Sequence, residues 1–95
     1  MEYETILSKV DLNEDFGKTL NYLQDVAEKV LTKREFNRYL KVSNRDIQEC
    51  DGMDGILFNG QYFDWKEFNY KQREIVSAWL GYFSPDQLHK IAMAL

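Results

Sequence analysis

A chain of 95 residues, 44% hydrophobic and 15% aromatic, carries enough apolar side chain for one core and too little length for two. That apolar content argues against disorder, and no apolar run approaches the roughly 18 residues needed to span a bilayer. A net charge of −4 argues against holding nucleic acid through overall charge, so any such contact has to come from a local cluster. The single cysteine, Cys50, rules out an intramolecular disulfide and points to a reducing, cytoplasmic setting. The acidic start Met1-Glu2-Tyr3-Glu4 lacks the basic-then-apolar run of a secretory signal.

Residues 1–10 leave a short strand and a leading helical turn both open, with Tyr3, Ile6 and Val10 as the apolar positions. Asp11 and Glu14 have the spacing of a capping box, in which a side chain satisfies a free backbone N–H and is answered in kind. The box predicts a helix over 11–31 with Phe16, Leu20, Leu23, Ala27 and Val30 on one face. Core packing is the first reading of that face, and a seam for a partner helix is the second. Thr32 and Glu35 form another box and open a short helix that carries Phe36, Tyr39 and Leu40 inward. Ser43 and Asp46 form a third, for a short helix holding Ile47 and Cys50, with Gly52 in the left-handed position after it.

Asn59-Gly60 between Ile56-Leu57-Phe58 and Gln61-Tyr62-Phe63 predicts a hairpin, because Asn-Gly accepts the positive φ angles of a tight type I′ turn. Alternation places Ile56, Phe58, Phe63 and Trp65 on the core face and Leu57 and Tyr62 on the other. Asp64 and Glu67 predict a helix carrying Phe68, Ile75, Val76, Trp79 and Leu80 up to Gly81. Ser84-Pro85-Asp86-Gln87 opens a last helix with Leu88, Ile91, Ala92 and Leu95 on one side. The expected fold is therefore mainly α with one two-stranded β-hairpin, a single domain over 1–95. Helix 11–31 and a helix pair over 65–95 flank a middle unit, 31–65.

No catalytic constellation accompanies this pattern. His89, the one histidine, falls on the polar side of the last helix, and Cys50 reads as a buried, inert thiol between Glu49 and Asp51. Asp46, Glu49, Asp51 and Asp54 lack the spacing of a calcium loop and read as solvated acidic surface. Gly52, Gly55 and Gly60 match no phosphate-cradling pattern. The expectation is a non-enzyme with no metal, cofactor, small-molecule substrate or membrane partner.

The middle stretch resembles a known family. Leu31-Thr32, Glu35-Phe36, Tyr39-Leu40, Val42-Ser43 and Ile47, followed by Gly52 and a hairpin ending Phe63-x-Trp65, look like the small winged helix-turn-helix domain of excisionases and MerR-like regulators. The likeness covers residues 31–65. It implies a winged helix-turn-helix-like core in which the helix from Asn44 is the recognition helix. On that footing Asn44, Arg45, Gln48 and Glu49 would face a major groove, with Lys33, Arg34, Arg38 and Lys41 on phosphates.

Two functions follow. One is a small DNA-binding regulator of transcription or recombination, read from the order of elements and the basic run from Lys33 to Arg45. The other is an acidic protein-binding module on the same scaffold, such as a phage or mobile-element protein that binds and inhibits a host protein. Its contact residues would be Asp46, Glu49, Leu57 and Tyr62. The four acids from Asp46 to Asp54 would repel phosphate, and the wing tip Asn59-Gly60-Gln61 carries no basic residue. The two readings separate on whether the positive stripe from Lys33 to Arg45 is continuous or is broken by Asp46 and Glu49.

Overall fold

The computed structural model describes residues 2–12 and 15–95, with the backbone alone at Phe16. Glu14 of the expected Asp11–Glu14 box and the Phe16 side chain, an expected core group, lie outside the described residues. The elements run α1 (Glu2–Lys9), α2 (Phe16–Val30), α3 (Lys33–Glu49), β1 (Gly55–Phe58), β2 (Gln61–Asp64), α4 (Gln72–Leu80) and α5 (Pro85–Ala94). The expected helix-rich fold with one antiparallel hairpin is what forms. None of these helices is long and apolar enough to cross a membrane.

Residues left open at the start form α1, which buries Ile6 and Leu7. Arg73 of α4 donates to Glu4 at 2.6 Å, and His89 of α5 lies 3.1 Å from Glu2, both on exposed surface. Helix α2 begins later than the spacing predicts. Asp15 is its cap and accepts from the Lys18 N–H at 3.2 Å.

The main correction concerns the middle. The two short helices expected over 32–50 are one uninterrupted helix, α3, with no turn at Val42-Ser43. The Thr32–Glu35 box starts it as expected, with both reciprocal bonds made. No glycine or proline interrupts the next 17 residues. The Ser43 hydroxyl does not cap a new helix; it donates back to the Leu40 carbonyl at 3.2 Å, within the same helix. The chain leaves α3 at Cys50 and reverses through Gly52, whose φ of 87° is left-handed as predicted.

The hairpin has the predicted register: Ile56 opposite Phe63, Leu57 opposite Tyr62 and Phe58 opposite Gln61. Asn59 (φ 51°) and Gly60 (φ 78°) make its turn. Phe58 and Phe63 are buried and Ile56 partly so, but Trp65 is 57% exposed. Strand alternation stops at Asp64, whose side chain accepts from the Lys66 N–H at 2.8 Å and turns the chain into a 3-10 segment, Trp65–Glu67. The Asp64–Glu67 box therefore forms, but it opens that short turn, and α4 starts only at Gln72. Ile47, also expected in the core, is 44% exposed. It borders a cleft of about 180 Å³ shared with Leu20, Leu40, Ile56 and Leu57.

Leu23, Ile75, Val76, Trp79, Leu80 and Ile91 fill the centre, and Ser84 caps α5 in the predicted box.

Candidate nucleic-acid interface

Helix α3 presents two unlike faces. Phe36, Tyr39, Ser43, Asp46 and Cys50 recur at alternating steps of three and four, and all five are buried. Tyr39 is the hub of this inner face. Its ring lies 4.8 Å from Phe83, 5.8 Å from Trp79 and 5.9 Å from Tyr82. Its hydroxyl accepts from the Trp79 Nε1–H and donates to Gln24 Oε1, each at 2.8 Å. Burial raises the Tyr39 phenol above its ordinary value, which keeps it a proton donor.

Asp46 is the one carboxylate on this inner face. The Tyr82 hydroxyl donates to Asp46 Oδ2 at 2.5 Å and accepts from the Asn59 backbone N–H at 2.6 Å. Burial first, and then the bond to Asp46, raise the Tyr82 phenol well above 10.0. One hydroxyl thus ties α3 to the hairpin tip. The approach is close: a Cβ on Gly81 would meet the Asn59 side-chain amide, which would have to swing aside.

A second acid of α3, Glu35, is also engaged. Its carboxylate accepts from the Thr32 N–H at 2.9 Å and from Gln87 Nε2 at 3.1 Å, and lies 3.6 Å from Lys90 Nζ. The bond from Thr32, then that from Gln87, lower its pKa from 4.5 to about 2.

The outer face is basic. Arg34, Arg38, Lys41 and Arg45 follow one another at steps of four, three and four, so they form one row along the helix. At a rise of 1.5 Å per residue the row is about 16 Å long. Lys33 starts it, and Asn37, Asn44 and Gln48 run beside it. All eight side chains are exposed, and none of the five basic ones pairs with a described acid. No acid lies on this face before Glu49, in the last position of the helix.

Every residue expected on DNA (Lys33, Arg34, Arg38, Lys41, Asn44, Arg45, Gln48) thus shares one solvent-facing arc of a single helix. The residues expected on a protein partner are not gathered in this way. Asp46 turns inward while Glu49 stays exposed, and Leu57 and Tyr62 are cross-strand neighbours on the hairpin. The Asp46–Tyr82 bond went unread in the sequence because the two residues are 36 apart. A signal was present: the inner-face spacing continues unbroken from Phe36 through Ser43 and Asp46 to Cys50.

No family model, curated protein or solved structure matches the chain.

Proposed function

We propose that this is a small DNA-binding protein that lays the outer face of α3 against duplex DNA. One observation carries the reading. The exposed arc of α3 from Lys33 to Gln48 bears five basic and three amide side chains, while both acids of that stretch are held in hydrogen bonds off it. The sequence sets both Asp46 and Glu49 against phosphate; Asp46 turns its carboxylate to Tyr82, while Glu49 stays exposed at the end of α3, so the stripe runs unbroken from Lys33 to Gln48 and meets an acid only there. A helix of this diameter fits the major groove, which is about 12 Å wide. A chain with overall negative charge would be drawn to phosphate only through such a local face, which makes binding strongly sensitive to salt.

No separate recognition helix starts at Asn44, so on this reading the contact is made by the outer face of the whole of α3. Lys33, Arg34, Arg38 and Lys41 hold phosphates. Asn44, Arg45 and Gln48 reach base edges, where arginine pairs with guanine and the amides with adenine. A regulator of transcription or recombination is the role this contact fits.

The test is fluorescence anisotropy with labelled duplex DNA at low salt. Arg38→Ala and Lys41→Ala should weaken binding to all sequences alike, and Arg45→Ala should relax the preference among sequences. Lys66→Ala, on the 3-10 turn, serves as the control. Equal loss in the control and the α3 variants would remove the proposal.

A further inference from the structure

A second surface has the opposite charge. Met53, Tyr62 and Trp65 are 54%, 39% and 57% exposed, large apolar groups that the core leaves out. They gather around the 51–55 turn. Met53 Sδ lies 3.9 Å from the Cys50 thiol, and the Trp65 N–H donates to the Asp54 carbonyl at 3.0 Å. The hydroxyl end of Tyr62 reaches over Gly55, where a Cβ would fall 2.7 Å from its Cζ and hydroxyl oxygen. Trp65 stacks on Phe68 at 4.9 Å, which presents its other face to solvent as a fixed platform.

Carboxylates ring these groups. Partial burial first, and then Asp64, the Cys50 thiol, Asp54 and Glu67, raise the Tyr62 phenol above 10.0. Asp51 is exposed on the same turn, and Glu49 is exposed at the end of α3 just before it. Lys66 is the one basic residue between Glu49 and Glu67. An apolar ligand gains nothing from such a rim and an anion is repelled by it. A guanidinium or ammonium group satisfies both features, because it stacks on an aromatic face and pairs with carboxylates at its edge.

The geometry points to this face, built on Met53, Tyr62 and Trp65, as the docking surface for an arginine- or lysine-rich segment of another protein. It is a different surface from α3 and stands whether or not α3 binds DNA. Together the two surfaces would join a nucleic acid to a basic protein segment.

The experiment titrates the isotope-labelled full chain with a short oligoarginine peptide at physiological salt, beside a glycine-serine peptide of equal length, and reads amide shifts and tryptophan emission. Shifts should cluster at Met53, Asp54, Tyr62 and Trp65, with none from the neutral peptide. Trp65→Ala and Asp54→Lys, both at exposed positions, should each weaken binding about tenfold. Arg38→Ala/Lys41→Ala should bind the peptide unchanged. The proposal falls if shifts spread equally over distant acids such as Asp25, Glu28 and Asp86, or if Trp65→Ala binds as the parent does. It falls also if the free protein self-associates and both Asp54→Lys and Arg38→Ala/Lys41→Ala abolish this, since a second copy would then be the occupant.

Discussion

The Tyr82 hydroxyl donates to the Asp46 carboxylate at 2.5 Å and so holds the one inward-facing acid of α3 away from the basic row. Tyr82→Phe removes that donor and leaves a nearly buried carboxylate unpaired. The expected cost is about 2 kcal/mol in urea unfolding. Affinity for duplex DNA at low salt should fall with it, because the freed carboxylate can turn toward the row. Adding Asp46→Asn should restore affinity without restoring full stability, an outcome that separates the charge effect from loss of fold.

The continuity of α3 is open to a backbone test. Ser43→Pro would take away the N–H that bonds the Tyr39 carbonyl and would crowd that carbonyl, at a cost of about 3 kcal/mol or more. At a turn between two helices the same change would be tolerated. Ser43→Ala should stay within about 1 kcal/mol, since it keeps the backbone N–H and gives up only the hydroxyl's local bonds to Leu40 and the Tyr39 phenol. Thermal melts followed by far-ultraviolet circular dichroism distinguish the two arrangements.

The sequence was legible wherever the determinant was local. The Thr32–Glu35 and Ser84–Gln87 boxes and the Asn59-Gly60 turn depend on residues within a few positions of one another, and each forms as read. Ser43–Asp46 has the same spacing and does not form a cap. Its residues continue the buried row of Phe36 and Tyr39, and tertiary packing against Trp79, Tyr82 and Phe83 decides the outcome. Trp65 was misplaced because a cap at Asp64 ended the alternation one residue earlier. The basic residues of the candidate site were all legible; that they share one arc depended on the helix being unbroken.

Glu35 couples stability to pH. Its folded pKa of about 2 lies below the ordinary 4.5, so its contribution is fully present above about pH 4.5 and is lost as pH falls from there toward 2. Glu35→Gln keeps an acceptor for the Thr32 N–H but carries no charge. Melting midpoints collected across that window should fall more steeply for the parent than for the variant.

The hairpin is held by its inner face. Phe63 is 2% exposed and packs 6.4 Å from Phe58, centre to centre. Phe63→Ala should cost about 3–5 kcal/mol. Tyr62→Ser, on the outer face, should cost less. Equal midpoints for Phe63→Ala and the parent protein in urea unfolding would mean that the two faces are reversed.

The central claim is that α3 neutralises phosphates, and the salt dependence of binding measures this directly. Affinity of the parent protein for duplex DNA, followed by anisotropy over a series of salt concentrations, should fall with a log–log slope of roughly −3.6 if Lys33, Arg34, Arg38 and Lys41 each displace one counterion. Replacing all four by alanine should abolish binding or flatten the slope. Absence of saturable binding by the parent at the lowest salt concentration, or an unchanged slope in the fourfold variant, would contradict the assignment of α3 as the DNA-binding face.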